Sequence, residues 1–563
     1  MAAAFAGPAA GRQLVGPPLA PPMQSADPDT RAGADRRRGP QPRLTSTKGP
    51  TVKLPRRRVA VLATSLLLGL ALPATPAAAK AAPAKPATAK TATTVTKTGT
   101  ATTTTVTVPS LADRLAAVKV AKTINYYPAN AGWSKMWTSW DAPRVDADLA
   151  KAAALGANSV RIIIFPYAFG YPTPKVEYTD RLNKFVSMAA ARGLTSRFTL
   201  FDWWGSYTDL AGSTAWASAI VKPYKDDSRV ISVEVQNEFD PTNTAAVAWA
   251  QKIVPAMRSI APAMPLTFSV DGAAGAAGMS KIKTALAASQ LDYFDFHFYG
   301  NSERALAGIR QAQAAVAPYP IVIGETGLGT LGYTEGEQAA FLARVYQAAA
   351  IAGVKSIAPW TLTDFAAGAI PDSQVAKVPA QYSFGLYRTN GTAKPAAAVV
   401  KAGWAGTAMP ADLLDPSFEA PAGQTPWRAY LAELGLGVKT QAVARTGKWS
   451  VAFTNTGKSA AGSPSIRVAP ITPVQAGQKW YGEVWARGNA ATGTTQIAVS
   501  WFDVNDKWLG GSSSAWLPVG TTGWTKLTVS GSAPAGSTSM QIHLKSGANT
   551  GTVWFDDVVM IGS

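Results

Sequence analysis

The chain of 563 residues contains no cysteine. That single absence removes disulfides, thiolate metal sites and a cysteine nucleophile, and leaves core size as the source of stability. Histidine is nearly as scarce, with only two in the chain, His297 and His543. A metal-dependent barrel enzyme is therefore not expected from one barrel histidine and scattered carboxylates. Acidic residues are outnumbered 34 to 53 by basic ones, but residues 1–110 hold 15 Lys and Arg against 3 Asp, while the remainder carries 38 against 31. The basicity sits mainly in a tail, so no nucleic-acid partner is expected.

Long apolar runs are also missing. Val59–Leu72 spans 14 residues and ends at Pro73, short of the ~20 needed to cross a bilayer. It follows Arg56-Arg57-Arg58 and precedes Ala77-Ala78-Ala79, the order of a signal peptide's basic region, apolar region and small-residue cleavage site. A signal peptide over about residues 52–79 is expected, with secretion, no stable membrane insertion and a mature chain from near Lys80. Residues 1–50 have no apolar period, and translation starting near Val52 is expected. Residues 80–112 are Ala, Pro, Thr and Lys-rich, a composition that cannot bury enough apolar area to fold and reads as a tether.

From about residue 113 to 405, short β-branched or aromatic runs alternate with Ala- and Leu-rich amphipathic stretches. The runs begin near Lys122, Ser159, Thr195, Ile231, Leu266, Tyr293, Ile321 and Ser356, at spacings of 37, 36, 36, 35, 27, 28 and 35 residues. Each interval holds one strand, one helix and two loops, and eight units fit an α/β (β/α)8 barrel. The rival, a doubly wound sheet, lacks its Gly-rich phosphate turn after the first strand.

In such a barrel the catalytic groups belong at the C-terminal ends of the strands. Arg161 lies in the second run, Asp202-Trp203-Trp204 close the third, Asn237-Glu238 the fourth, His297 and Tyr299 the sixth and Glu325 the seventh, while Trp360 lies on the eighth. Tyr126 and Tyr127 end the first, with Trp133, Trp137 and Trp140 beyond. Glu238 and Glu325 are 87 residues apart, three βα units, so they face each other across the barrel mouth. Two opposed carboxylates suit glycoside hydrolysis, one protonated and one ionised. Arg161 and the Tyr299 hydroxyl would favour the charged form of Glu325; Phe239 and aromatic walls would favour protonated Glu238. Glu234 and Asp295 read as polar members of the barrel interior, and each Trp as either core or a platform for sugar rings.

The segments NEF after the fourth run, HFY on the sixth, IVIGETG on the seventh, and PWTL with the later FGLYRTNGTAKPA resemble the clan of retaining (β/α)8 glycoside hydrolases. The nearest likeness is to glycoside hydrolase family 5 and its cellulase and mannanase relatives, over about residues 120–400. The resemblance implies Glu238 as acid/base, Glu325 as nucleophile, Asn237 on the sugar 2-hydroxyl and Arg161 and Tyr299 around the nucleophile. It also implies His297 near the acid/base and Trp360 under the sugar at the cleavage point, with Trp203, Trp204 and Tyr126 as further substrate-binding residues and no cofactor for catalysis. Many members carry a His where this chain has Asp202-Trp203-Trp204.

Residues 404–410 form a short linker, and from 411 to 563 short alternating strands such as WYGEVWAR, QIAVSWFDV and TVWFDDVVM predict an all-β jelly-roll sandwich. LLDPSFEAP and the closing TVWFDDVVM resemble sandwich-type carbohydrate-binding modules. That resemblance implies a structural calcium, for which Glu419, Asp556 and Asp557 are the candidates, and a Trp platform for ligand. The combined reading is a monomeric retaining endo-β-glycanase acting on a polysaccharide. Two alternatives stay open: a non-catalytic polysaccharide- or wall-binding protein, and an exo-acting glycosidase.

Overall fold

The computed structural model describes residues 108–289, 291–371 and 375–562; the leader, the translation start and nearly all of the tether lie outside them. Nine short strands build the first layer: β1 (Thr123–Asn125), β2 (Ser159–Ile163), β3 (Thr195–Thr199), β4 (Val230–Glu234), β5 (Leu266–Thr267), β6 (Ser269–Val270), β7 (Phe294–Phe298), β8 (Ile321–Thr326) and β9 (Ile357–Pro359). All neighbours pair in parallel, β1 through β5 in one sheet and β6 through β9 in another. β5 and β6 are one strand interrupted at Phe268, so the eight predicted runs are the eight staves of a barrel. The ring closes where Leu362 N–H and Thr361 Oγ1 donate to the Asn125 carbonyl, at 3.2 and 2.8 Å.

The strands are buried on both faces, as parallel strands under crossover helices must be, and nearly every residue in them is inaccessible. Helices between them start where the sequence supplies a cap. Asp141 caps Ala142–Leu155, which stops at Gly156 with φ 107°; Thr334 and Glu337 form a reciprocal capping box on Glu335–Ala352, which stops at Gly353. The helix Leu111–Val120 begins inside the expected tether, with Ser110 as its cap. Its Val118 packs with Ile231, Tyr293 and Val322 near the starts of β4, β7 and β8, which covers the end of the barrel opposite the strand C-termini.

The barrel interior is charged. Arg197 pairs with Asp295 at 2.8 Å, both fully buried, and the same guanidinium donates to the Tyr293 hydroxyl and Ser232 Oγ. Asp295 therefore does the interior work expected of it. It also explains Gly324 in IVIGE: a Cβ there would stand 1.9 Å from Asp295 Oδ1.

The second layer structure is a sandwich of two antiparallel five-stranded sheets. One runs β10 (Arg428–Tyr430), β13 (Ser465–Val468), β18 (Ser539–Gly547), β15 (Thr494–Phe502), β16 (Trp508–Ser513); the other runs β11 (Val438–Thr440), β12 (Ser450–Thr454), β19 (Thr552–Gly562), β14 (Lys479–Asn489), β17 (Thr525–Ser532). Alternate residues such as Ile497, Val499, Ile542 and Leu544 from the first sheet meet Phe453, Val484, Val553 and Phe555 from the second, the period-two packing that the sequence pattern predicts.

Candidate active site

β4 ends at Glu234, and the chain then turns, so that Asn237 and Glu238 lie in a turn that folds over the strand end. Glu238 has φ 45°, a left-handed conformation that costs a non-glycine residue roughly 1–3 kcal/mol. Its N–H is held by Ser269 Oγ at 2.7 Å. Trp203 and Trp133 share this backbone region, with φ 52° and 47°. Strained residues gathered at one end of a barrel are the local signature of side chains aimed at a ligand.

Arg161 on β2 organises the floor. Its guanidinium donates to Glu234 Oε2 at 2.8 Å, to Asn125 Oδ1 at 2.9 Å, to Glu325 Oε1 at 2.6 Å and to Asn237 Oδ1 at 2.8 Å. Burial alone would raise the Glu234 carboxyl, but Arg161, with help from His297 and Ser269, brings it to about 2. Glu234 also accepts from Thr199 Oγ1 at 2.6 Å. It is the interior carboxylate the sequence predicts, and it lies one guanidinium away from Glu325.

Glu325 closes β8. The Tyr299 hydroxyl donates to its Oε2 at 2.8 Å while Arg161 holds Oε1, so both oxygens are fixed. The expectation that these neighbours hold Glu325 below the usual carboxylate range is not met. Burial pushes the group up, and His297, Arg161 and Tyr299 only partly offset it. His297, in register with Glu325 on the adjoining strand, places Nδ1 3.2 Å from Glu238 Oε1 and 3.6 Å from Glu325 Oε2. Burial would lower the imidazole, but the two carboxylates raise it to about 9, so it carries a proton between them at neutral pH. One ligand-type atom from each of Glu238, His297 and Glu325 lies within 4.8 Å of the others. By geometry these three could hold a metal ion.

Asp202, where the resembling family often has His, accepts from Asn237 Nδ2 at 3.0 Å and from Trp203 N–H at 3.1 Å. With Arg161 on Asn237 Oδ1, both ends of that amide are fixed. Burial raises the Asp202 carboxyl to about 7.

The aromatic wall is formed by Tyr127, Trp133, Trp360 and Phe365: Tyr127 stacks on Trp133 at 5.3 Å, and Trp360 meets both edge-on at 5.9 and 5.8 Å. Trp360 Nε1 donates to Gln381 at 3.3 Å. Trp203 leans on Phe165 across the mouth. Trp204 is drawn away, packed on Tyr171 and Phe201. Tyr126 is a correction: its ring stacks on Phe185 and its hydroxyl reaches Asp148 of the helix layer at 3.3 Å. The strand's alternation sends Asn125 and Tyr127 inward and Tyr126 outward. Tyr127 is thus the residue missed, and the period of two on β1 was the signal for it. Trp137 and Trp140 stack on each other, with Trp137 fully buried against Phe169.

In the sandwich, Glu419 accepts two loop N–H groups, of Lys448 and Trp449, at 2.8 Å each. Asp556 accepts from Arg445 and Thr446 N–H, and Asp557 pairs with the Arg445 guanidinium at 2.6 Å. Among the described residues these three carboxylates do not converge into a set of ligand atoms, and a guanidinium occupies one of them.

No protein-family model matches the chain. Endoglucanase E-5 of Thermobifida fusca is 24% identical over 187 residues, 31% of this chain and 39% of that protein. The chain thus spans about two fifths of the length of the curated relative it matches. Solved structures that superpose on the chain include an exo-β-1,4-mannosidase from Opitutaceae bacterium strain TAV5, at 18% identity over 50% of this chain and 59% of that one, TM-score 0.43. A GH5_18 protein from Streptomyces cattleya in complex with Manb1-4GlcNAc aligns at 20% identity over 54% and 86%, TM-score 0.43. No described helix is long and apolar enough to cross a membrane.

Proposed function

We propose that the barrel hydrolyses β-glycosidic bonds with retention of anomeric configuration, Glu325 as nucleophile and Glu238 as acid/base. The observation that carries this is the approach of one oxygen of each carboxylate to within 4.8 Å of the other, with a His297 ring nitrogen within the same distance of both. Retaining pairs lie about 5–5.5 Å apart; inverting pairs need about 6.5–9.5 Å to admit a water. The roles divide by exposure and anchoring. Glu325 is deeply buried with both oxygens fixed, which suits a group that must meet an anomeric carbon in line. Glu238 is the more exposed of the two, where a leaving oxygen can reach it.

In the first step Glu325 Oε attacks the anomeric carbon while the glycosidic oxygen departs with a proton from Glu238. His297 Nδ1, 3.2 Å from Glu238 Oε1, holds that carboxyl in place. In the second, Glu238 takes a proton from water as the water displaces Glu325. Asn237, clamped by Asp202 and Arg161, presents its amide edge to the sugar 2-hydroxyl, and Trp360 offers an apolar face to the ring.

The substrate we propose is a β-linked polysaccharide outside the cell, cut within its chain, with the sandwich binding glycan. A panel of mannan, glucan, xylan and galactan with reducing-sugar detection tests the reading. Wild type releases reducing ends from at least one, Glu325→Ala releases none, and Glu238→Ala loses roughly 10²–10⁴-fold. No activity on any glycan, or full activity in Glu325→Ala, would overturn it.

A further inference from the structure

The sandwich does not hang from the barrel by its linker alone. Arg304, in the loop that follows β7, donates to the Val504 carbonyl at 2.6 Å and pairs with Asp506, both in the turn between β15 and β16. Arg344 on the helix Glu335–Ala352 donates to the carbonyls of Ala469 and Pro470 at 2.6 and 2.9 Å. Arg428 on β10 pairs with Glu337 of the same helix, and the Thr334 hydroxyl donates to the Thr425 carbonyl at 2.6 Å. Glu303 faces Arg344 from the barrel side and Arg467 and Gln541 from the sandwich side. Charged and backbone contacts on three sandwich elements fix its orientation rather than merely its distance.

The sheet held in this way carries a cleft of about 210 Å³ on its outer face. The residues that point outward from β18 are Gln541, His543 and Lys545, the alternates of the core residues Met540, Ile542 and Leu544. Tyr430 and Trp508 line the cleft from β10 and β16, which are opposite edges of the sheet. Four inter-strand spacings separate them, about 19 Å. Between them the floor carries Ala498, Ser500 and Gly511, with Phe502 beside Trp508 at one end, and no carboxylate lines it. His543 is buried with Nδ1 near Ser465 Oγ at 3.2 Å and no hydrogen-bond partner for Nε2. Two aromatic edges flanking an amide, an imidazole and hydroxyls, over a floor of mostly small residues, match a chain of sugar rings, whose faces are apolar and whose rims are hydroxyl.

The cleft also has a fixed place relative to the barrel's chemistry. Gln541 on its wall meets Glu303, and Glu303 lies four residues beyond Tyr299, which bonds Glu325. Four residues of chain span at most about 14 Å. We propose that this cleft binds the distal units of the same glycan chain that the barrel cleaves, in fixed register with Glu238 and Glu325, so that barrel and sandwich form one extended site. This rests on the hydrolase reading above and adds to it a second binding region and a required length of substrate.

The test is kcat/KM of the full chain against β-glycan oligosaccharides of increasing length, drawn from whichever polysaccharide wild type degrades. Wild type is expected to show a step of about tenfold at one chain length, the worth of a well-buried aromatic contact. Trp508→Ala is expected to remove the step and to leave the rate on shorter oligosaccharides unchanged. Trp508 is more than a third exposed on an edge strand, so the variant should fold; Tyr430→Ala on the opposite edge provides a second one, and unchanged melting confirms both. A smooth length profile in wild type, or a step that survives in both variants, overturns the fixed-register site while hydrolysis stands. Hydrolysis of no oligosaccharide at any length overturns the hydrolase reading and this inference with it.

Discussion

Glu238 and Glu325 differ less in identity than in what holds them. Glu325 has a guanidinium on one oxygen and a phenol on the other, while the more exposed Glu238 has one oxygen 3.2 Å from His297 Nδ1. The folded-state value of His297, about 9, lies above the ~6.5 of an unfolded chain, so the native state holds the extra proton. The associated stability, roughly 3 kcal/mol for a shift of this size, is fully present below pH 6.5 and is lost as pH rises through 9. Melting temperature should therefore fall between those limits in wild type, and the slope should flatten in His297→Gln. Asp202 makes a different prediction. Asp202→Ala frees one end of the Asn237 amide, and a misplaced 2-hydroxyl contact should lower kcat/KM by about 10²-fold with little change in melting temperature, because Arg161 still anchors the other end. At this scale the paired glutamates were legible from two short motifs, since residues at strand ends have few structural reasons to be Asn-Glu. Tyr127 was masked by its neighbour Tyr126, and only the in-out alternation of β1 separates them.

Single elements carry both the site and its support. The helix Glu335–Ala352 follows the strand that bears Glu325, and Thr334 serves it twice, accepting from Glu337 N–H and donating to Thr425 of the sandwich. Thr334→Ala should cost about 1 kcal/mol through the lost cap and a further increment through the unpaired carbonyl, whereas Thr334→Ser should retain most of both; denaturant midpoints would measure the difference. The strands were read correctly as eight because a βα unit is a local object of about 30 residues with its own alternation and caps. What the pattern did not show is the break of the fifth strand at Phe268. Nor did it show that β4 stops at Glu234, leaving Asn237 and Glu238 to a strained turn. Both depend on how the ring closes, which is set by neighbours far away in sequence. The same holds for Glu419, Asp556 and Asp557, whose backbone and guanidinium partners come from the loop at Arg445–Trp449.

Across the whole molecule the consequential feature is docking. The sequence pattern marks a barrel, a short connection and a sandwich, and long-range pairs such as Arg304 with Asp506 join the two. Arg344→Ala removes both donors to Ala469 and Pro470. Calorimetry should show one endotherm for wild type and two for this variant, the sandwich melting first. In the barrel everything depends on two carboxylates standing a retaining distance apart, and proton NMR of the first product formed from a β-glycan tests it most directly. The separation within 4.8 Å predicts that the β-anomer of the new reducing end appears first and mutarotates afterwards; initial appearance of the α-anomer would contradict it.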